Sequence, residues 1–206
     1  GVCLVDIGGG TTDIAVFTQG AIRHTAVIPV AGDQITNDIA MALRTPTAEA
    51  EEIKIRHGVA MPSLVDPEAT IEVPSIGDRA ARKLSRQALA DVIEPRVSEL
   101  FELVQAELRR SGYEELLSSG LVLTGGSAVL AGVAELGEEI FHAPVRIGIP
   151  HYQGSLADMV CHPQYANGMG LLFEGAAQRR RGLQVRDTRS VKHSFQRVMA
   201  WLARNF

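Results

Sequence analysis

The sequence predicts an α/β fold, with strands at its beginning and long helices in its middle. Residues 2–30 carry three apolar, strand-like runs, at Val2–Ile7, Asp13–Thr18 and Ala21–Val30. Apolar residues then recur at helical spacing from Asp33 to Leu43 and, over a longer stretch, from residue 80 to residue 111. Strands followed by amphipathic helices are typical of domains in which helices cover a sheet.

The first two strands are joined by a glycine-rich turn that is suited to phosphate groups. The turn and its flanks comprise Asp6, Gly8, Gly9, Gly10, Thr11, Thr12 and Asp13. Glycines reach positive φ at little cost, so we expect the turn to tighten and to present N–H groups to an anion. The threonines add hydroxyls, and Asp6 is placed to hold Mg²⁺ through its waters. The pattern favours a nucleotide ligand, although such turns also occur where a chain simply reverses.

A second strand leads into a second glycine turn. Leu121–Thr124 reads as a buried strand, and Gly125, Gly126 and Ser127 follow it at the start of a predicted helix. Small residues allow a flat ring or a ribose to lie against the backbone, and a helix N-terminus favours negative charge. Two such turns in one chain strengthen the prediction of a nucleotide site.

Composition narrows the class of protein. The 206 residues are 46% hydrophobic and 21% charged, which suits one or two folded domains. A net charge of −4 disfavours nucleic acid as a partner. Cys3 and Cys161 have no metal-ligand spacing and are expected to be reduced thiols. No apolar run reaches the ~20 residues of a membrane span, so any membrane contact is expected to be peripheral.

A second helix is predicted at Thr47–His57, with Thr47 as its N-cap and Gly58 after its end. Glu51 and Lys54 are three residues apart and so share one face of this helix. From the pattern alone they are an ion pair in solvent, which is a common arrangement on helix surfaces.

The middle of the chain contains a loop-rich region and then the longest helical pattern. Residues 61–79 are rich in proline around a short strand at Thr70–Val73, and Pro95 is expected to bend or split the helix at 80–111. Four cations mark the beginning of this helix: Arg79, Arg82, Lys83 and Arg86. They predict either a solvated helix start or a docking surface for a short peptide. Further core elements are predicted at Val133–Phe141, Val145–Ile149 and Tyr165–Gly175.

The C-terminal residues form a separate basic and amphipathic pattern. A polar linker is predicted at 179–190 and a helix at 191–206, and between residues 179 and 206 eight Lys and Arg residues face one acid, for a net charge of +7. Such a helix either docks on the core or lies in a membrane interface, where basic residues attract anionic lipid. The predicted lipid contacts are Phe195, Arg197, Val198, Met199, Trp201, Leu202, Arg204 and Phe206.

Two motifs resemble those of the actin-like ATPase superfamily. Residues 6–13 are similar to its second phosphate motif, and residues 123–128 are similar to its adenosine motif. Four further segments resemble the bacterial cell-division FtsA family: Gly20–Thr25, Val30–Thr36, Ala50–Gly58 and Ala90–Arg96. The resemblance covers essentially the whole chain and corresponds to the C-terminal half of that family.

The resemblance implies an actin-like, ribonuclease H-like ATPase fold with an inserted upper subdomain and a C-terminal amphipathic helix. The core subdomain would comprise residues 1–31 and 112–178, and the insertion residues 32–111. The linker at 179–190 and the membrane-targeting helix at 191–206 would follow.

The resemblance also implies that ATP and Mg²⁺ lie in a cleft. Asp6 would face Mg²⁺, the residues from Gly8 to Thr12 would bind the β- and γ-phosphates, and Gly125, Gly126 and Ser127 would lie near the adenosine. Glu51 and Lys54 would reach the ribose and the base edge from the upper subdomain. No residue is assigned as a catalytic base, so ATP binding is expected and hydrolysis is left open.

The implied partners are those of a cell-division tether. They comprise the C-terminal tail of FtsZ, for which the four-cation cluster is the candidate contact, further copies in an actin-like filament, anionic lipids and other division proteins. The implied location is the cytoplasmic face of the cell membrane at the septum. The alternatives are a phosphotransferase of the same superfamily, such as a sugar kinase, and another filament protein of the MreB type.

Overall fold

The computed structural model describes residues 1–77 and 80–181. Its strands are β1 (Val2–Ile7), β2 (Thr12–Thr18), β3 (Ala21–Ile28), β4 (Thr70–Val73), β5 (Arg82–Ser85), β6 (Leu121–Thr124) and β7 (Val145–Ile147). Its α-helices are α1 (Gly32–Leu43), α2 (Thr47–His57), α3 (Arg86–Ser111), α4 (Val133–Phe141), α5 (Ala157–Val160) and α6 (Ala166–Arg180). Short 3₁₀ turns lie at Pro62–Leu64, Glu114–Leu116, Gly126–Val129 and Pro163–Tyr165.

A five-stranded sheet in the order β3-β2-β1-β6-β7 carries both glycine turns. β1 pairs antiparallel with β2 and parallel with β6, so Asp6 lies opposite Asp13 on one side and opposite Thr124 on the other. Because parallel neighbours end at the same edge of a sheet, the turns after β1 and β6 leave it side by side. The topology therefore brings together two segments that are more than 110 residues apart in sequence.

The long helix α3 supplies much of the core. Its inward face buries residues at helical spacing, among them Leu89, Ile93, Val97, Leu100, Phe101, Val104 and Leu108. On its other side Arg96 donates two hydrogen bonds to the Asp38 carboxylate of α1, from Nε at 2.5 Å and from Nη2 at 3.1 Å. A paired guanidinium and carboxylate fixes direction as well as distance, so α1 is held firmly against α3.

The strands and the first helix follow the sequence predictions closely, but two predictions about helix beginnings are wrong. α2 starts at Thr47, yet Pro46 is the residue before it and no side chain caps the helix. The pattern from residue 80 is not helical at its beginning, because Arg82–Ser85 is a strand paired with β4. α3 begins only at Arg86, where the Ser85 hydroxyl accepts a hydrogen bond from Ala88 N–H at 3.2 Å.

Pro95 does not split α3, which runs unbroken from Arg86 to Ser111. The proline removes the N–H that would bond to the carbonyl of Asp91, four residues earlier. Both Pro95 and Asp91 are exposed, so water is able to satisfy that carbonyl. Of the two predicted outcomes, a bend or a split, the structure excludes the split.

The chain divides into two compact units, Gly1–Asn167 and Gly168–Phe206, and all the site geometry below lies within the first. α6 is longer than predicted and includes Arg179 and Arg180, which the sequence had assigned to a linker. Arg79 and the eight predicted lipid contacts between residues 195 and 206 lie outside the described residues. Among the described helices, none has both the length and the apolar character for crossing a membrane.

Candidate functional site

The first glycine turn, residues Gly8–Thr11, is held by hydrogen bonds from two other segments. At the beginning of α1, Gly32 N–H donates to Gly8 O at 3.1 Å and Asp33 N–H donates to Gly9 O at 2.7 Å. Ser127 Oγ donates to the same Gly8 carbonyl at 3.0 Å. The first turn, the start of α1 and the second turn therefore form one hydrogen-bonded unit.

The three glycines of the first turn do not adopt the positive φ that the sequence analysis expected, and a side chain would have room only at Gly10. A Cβ added at Gly8 would lie 3.1 Å from Thr11 O, and one at Gly9 would lie 3.2 Å from Asp33 Oδ1. At Gly10 the nearest atom, Asp33 Oδ2, is 3.8 Å away. The turn is therefore open on its outer side, at Gly10, where a ligand would approach.

The second glycine turn, residues Gly125–Ser127, is pressed against the first strand. Gly125 has φ +90°, and a Cβ there would lie 2.3 Å from Asp6 Oδ1 and 2.4 Å from Ile7 O. Its N–H donates to Pro163 O at 3.2 Å. Only glycine is compatible with both this backbone conformation and this close approach.

The two threonines of the first turn have different surroundings. Thr12 is completely buried, and its hydroxyl donates to Val30 O at 2.8 Å, so that hydroxyl is turned away from the cleft. Thr11 is exposed, and its hydroxyl donates to Asp13 Oδ2 at 3.3 Å. Of the two predicted hydroxyl donors, only the one on Thr11 is open to a ligand.

Asp6 lies at the end of β1 directly opposite Asp13. Burial, together with the negative charge of Asp13, raises the pKa of the Asp6 carboxyl above its ordinary value. Within residues 1–77 and 80–181 no three His, Cys, Asp or Glu side chains are grouped as a metal would need. A Mg²⁺ ion held beside phosphates through its waters needs only one or two carboxylates, and Asp6 fits that role.

Glu51 and Lys54 are part of a buried network, not an ion pair in solvent. The Lys54 ammonium donates to Gly32 O at 3.0 Å, to Thr36 Oγ1 at 2.8 Å and to Glu51 Oε2 at 2.7 Å. Glu51 Oε2 also contacts the Thr36 hydroxyl. Burial tends to raise the pKa of Glu51, but the hydrogen bonds from Lys54 and Thr36 and the Lys54 charge outweigh it, so the pKa is lowered.

These groups line a cleft of about 660 Å³, within the usual size range of small-molecule sites. The first turn, the second turn and α2 face it, through residues that include Gly8, Gly9, Asp33, Glu51, Lys54, Ile55, Gly126, Ser127 and Val129. An adjoining pocket of about 240 Å³ is shared by Ile55 and Val129. Ile55 is 71% exposed and Val129 is 50% exposed, which is unusual for large apolar side chains that share a concave site.

Sequence reasoning missed four of the residues that shape the cleft: Asp33, Thr36, Ile55 and Val129. Asp33 and Thr36 belong to α1, which the sequence analysis predicted as a helix without assigning any of its residues to the site. A sequence signal for Ile55 does exist. This residue lies on the solvent-facing side of α2, where charged or polar residues are usual and a large apolar side chain is not.

Two members of the basic cluster, which comprises Arg79, Arg82, Lys83 and Arg86, make hydrogen bonds within the fold. Arg82 donates to the carbonyl of Leu43, the last residue of α1, and Arg86 Nε donates to the carbonyl of His57, the last residue of α2, at 2.9 Å. Cations are favourable at helix C-termini, where carbonyls lack partners. Lys83 is exposed on β5, beside a groove of about 340 Å³ lined by Arg44, Ser75, Ile76 and Arg82.

Comparison with known proteins identifies the family. The family model described as cell division protein FtsA matches residues 3–170. The chain is 58% identical over 213 residues to the cell division protein FtsA of Pseudomonas aeruginosa, an alignment that covers 100% of this chain and 51% of that protein. This chain belongs to the FtsA family. It spans about half the length of the curated relatives it matches.

Solved structures show that the chain has the actin-like α/β fold expected of an FtsA relative. MreB 5 of Spiroplasma citri, solved with AMPPNP, matches with a TM-score of 0.62 at 22% identity, over 87% of this chain and 54% of that one. The MamK double helical filament matches with a TM-score of 0.58 at 20% identity, over 81% and 54%. These likenesses confirm the predicted fold class.

Proposed function

We propose that this chain is the nucleotide-binding, C-terminal half of an FtsA-type division protein that binds ATP with Mg²⁺ and tethers FtsZ filaments to the membrane. One observation carries the nucleotide part of the proposal. The two glycine turns, the start of α1 and the Glu51–Lys54 pair converge on one cleft although they are far apart in sequence. The cell-division role rests on membership of the FtsA family.

In this proposal the triphosphate lies on the first glycine turn. Gly10 presents open space and the exposed Thr11 hydroxyl lies next to it, so phosphate oxygens can approach the backbone closely. Asp6 holds Mg²⁺ through its waters, which offsets the repulsion between the Asp6 and Asp13 carboxylates. The nucleotide analogue in the MreB 5 structure supports a nucleotide as the ligand of this fold.

The adenosine would lie between α2 and the second glycine turn. Ile55 and Val129 expose apolar surface on the two sides of the adjoining pocket, and a purine ring between them would remove that surface from water. Gly126 and Ser127 allow the ribose to lie against the backbone. Glu51 is the ribose acceptor, because its side chain remains 44% exposed while that of Lys54 is only 10% exposed.

The tether part of the proposal rests on the basic cluster and on the sequence of the tail. The groove lined by Arg44, Ser75, Ile76 and Arg82 combines positive charge with the exposed side chain of Ile76, which suits a short peptide with acidic and apolar residues such as the FtsZ tail. The net charge of +7 and the apolar stripe between residues 179 and 206 suit anionic lipid. One such helix binds weakly, and assembly into filaments, as MamK does, would add avidity.

A co-sedimentation experiment tests the whole proposal. The full-length protein is mixed with FtsZ and with vesicles of anionic lipid, with and without Mg-ATP, and bound ATP is measured in parallel. We compare wild type with Gly10→Val, which fills the phosphate space, and with a Leu202→Glu, Phe206→Glu variant, which makes the tail's apolar stripe acidic. Thr25→Val, on the exposed part of β3, is the matched control.

We expect the Leu202→Glu, Phe206→Glu tail variant to bind ATP but no longer to sediment with the vesicles. We expect Gly10→Val to lose ATP binding. Wild type should carry FtsZ to the vesicles, and Thr25→Val should behave like wild type. ATP binding by Gly10→Val at wild-type affinity would exclude the first turn as the phosphate site. Equal vesicle binding by wild type and the tail variant would remove the tail as the anchor and exclude the tether.

A further inference from the structure

Thr36 lies at the centre of the Glu51–Lys54 network. The side chain is buried on α1, with 4% of its surface exposed. Its Oγ1 accepts a hydrogen bond from Lys54 Nζ at 2.8 Å and contacts Glu51 Oε2. It also lies 3.1 Å from Gly32 O, one turn earlier in the same helix.

The three donors of the Lys54 ammonium all have partners in the protein, namely Gly32 O, Thr36 Oγ1 and Glu51 Oε2. Lys54 therefore has no N–H left over for a ligand in this arrangement. This differs from the expectation implied by the family resemblance, that Glu51 and Lys54 both contact the nucleotide, at its ribose and base edge. The structure assigns Lys54 to holding Glu51 in place.

The two oxygens of Glu51 are not equivalent. Oε2 receives both the Lys54 ammonium and the Thr36 hydroxyl, whereas Oε1 takes no hydrogen bond from the residues that the structure describes. Because Glu51 lines the cleft, its remaining acceptor capacity is available to a donor bound there. A carboxylate oxygen that accepts but cannot donate selects for hydroxyl groups, and a nucleotide presents these on its ribose.

We infer that Thr36 is a positioning residue that fixes Glu51 so that Oε1 reads the ribose hydroxyls and selects ribose over deoxyribose nucleotides. The inference rests on the proposed nucleotide site. It adds a specificity mechanism in which α1, whose first residues hold the phosphate turn, also orients the group that reads the sugar. Phosphate binding and sugar selection would then depend on the same helix.

The test compares ATP with 2′,3′-dideoxy-ATP, which keeps the base and the triphosphate and lacks both hydroxyls. Binding to the full-length protein is measured for wild type, Thr36→Val and Thr36→Ser. Valine keeps the branched shape and removes the hydroxyl, whereas serine keeps the hydroxyl. Lys54 retains Gly32 O and Glu51 in Thr36→Val, so we expect that variant to fold, and melting without nucleotide checks this.

We expect wild type to prefer ATP, and Thr36→Val to weaken ATP binding by about fivefold to tenfold, the effect of one or two hydrogen bonds. Its affinity for the dideoxy nucleotide should change by less than about twofold, and Thr36→Ser should restore the preference. Glu51→Gln should also lose it, and the double variant Thr36→Val, Glu51→Gln should be no worse than Glu51→Gln alone.

Each contrary result has its own meaning. If wild type binds neither nucleotide, the proposed site itself is wrong. If wild type binds ATP and the dideoxy nucleotide equally, or if Thr36→Val weakens both to the same degree, the nucleotide site stands and the role of Thr36 is refuted. Should Thr36→Val fail to fold, Thr36→Ala, which leaves room for a water, carries the same comparison.

Discussion

The two glycine turns look alike in the sequence and differ in the structure. Each follows a strand of the same sheet, and each places small residues at the cleft. In the first turn, the glycines have ordinary φ values and the outer side at Gly10 is open. In the second, Gly125 has φ +90° and its Cα is packed against Asp6 and Ile7. In the first turn, glycine leaves the space beside Gly10 open, whereas in the second it lets the ends of β1 and β6 approach closely.

The largest expected effect tests this contrast directly. Gly125→Ala should destabilise the protein by about 3 kcal/mol, because the new methyl group overlaps backbone and carboxylate atoms and the φ is unfavourable for alanine. Gly10→Ala should change the free energy of unfolding by less than about 0.5 kcal/mol. Urea unfolding without nucleotide measures both. Equal destabilisation by the two substitutions would show that the turns are not different in kind.

A smaller effect is expected where the two turns touch. Ser127→Ala removes the hydrogen bond from Ser127 Oγ to Gly8 O, which spans 119 residues of sequence. We expect a loss of about 1 kcal/mol in unfolding free energy, since Gly8 O keeps its bond from Gly32 N–H. Ser127→Thr keeps the hydroxyl and serves as the control. A Ser127→Ala protein as stable as wild type would mean that the pairing of β1 with β6, and not this hydrogen bond, holds the turns together.

The smallest effect has the opposite sign. Asp6→Asn removes a charge that is disfavoured by burial and by the cross-strand repulsion from Asp13, so we expect it to stabilise the ligand-free protein by about 0.5 kcal/mol at pH 7. The raised pKa of Asp6 means that its carboxylate costs stability above the folded-state pKa. That cost falls as the pH drops through the raised folded-state pKa, and it is absent below the ordinary pKa of 3.8, where the carboxyl is protonated in both the folded and the unfolded state.

Melting curves of wild type and Asp6→Asn at pH 7 and pH 4 measure how the stability difference between the two proteins changes with pH. The affinity of both proteins for ATP is measured in parallel, with and without Mg²⁺. We expect Asn at position 6 to weaken ATP binding only when Mg²⁺ is present. Stabilisation that does not shrink with falling pH would show that the charge of Asp6 is not its source.

The sequence was informative wherever a local pattern determines structure. Apolar, strand-like runs identified β1 and β2, and the glycine motifs identified both turns that line the cleft. The same local signals were insufficient at Arg82–Ser85, because Leu84 continues the helical spacing of α3 while its pairing with Ile71 depends on a strand elsewhere in the chain. Strand pairing is a tertiary interaction, and propensity alone does not contain it.

Within the site, the sequence predicted several of the residues that line the cleft, but not the hydrogen bonds that each of them makes. Their spacing indicated that Glu51 and Lys54 form a solvent-exposed ion pair, and the family resemblance implied a shared role at the ribose and the base edge. In the structure Lys54 also donates to Gly32 O and to Thr36 Oγ1 on another helix. Thr12 was expected to offer a hydroxyl to the ligand and offers it to Val30 O instead. In both cases the deciding partner is a backbone or side-chain group that no local motif reveals.

The basic cluster has a consequence for the kinetics of partner binding. The guanidinium groups of Arg82 and Arg86 already satisfy the last carbonyls of α1 and α2. An acidic peptide that drew them away would leave two helix ends without partners, so each new ion pair would replace a hydrogen bond already present. The net gain per exchange is small, which favours brief, rapidly reversed contacts. In the tether proposed above, such a surface would release and rebind an acidic partner many times, because Arg82 and Arg86 return to the helix-end carbonyls each time the partner leaves.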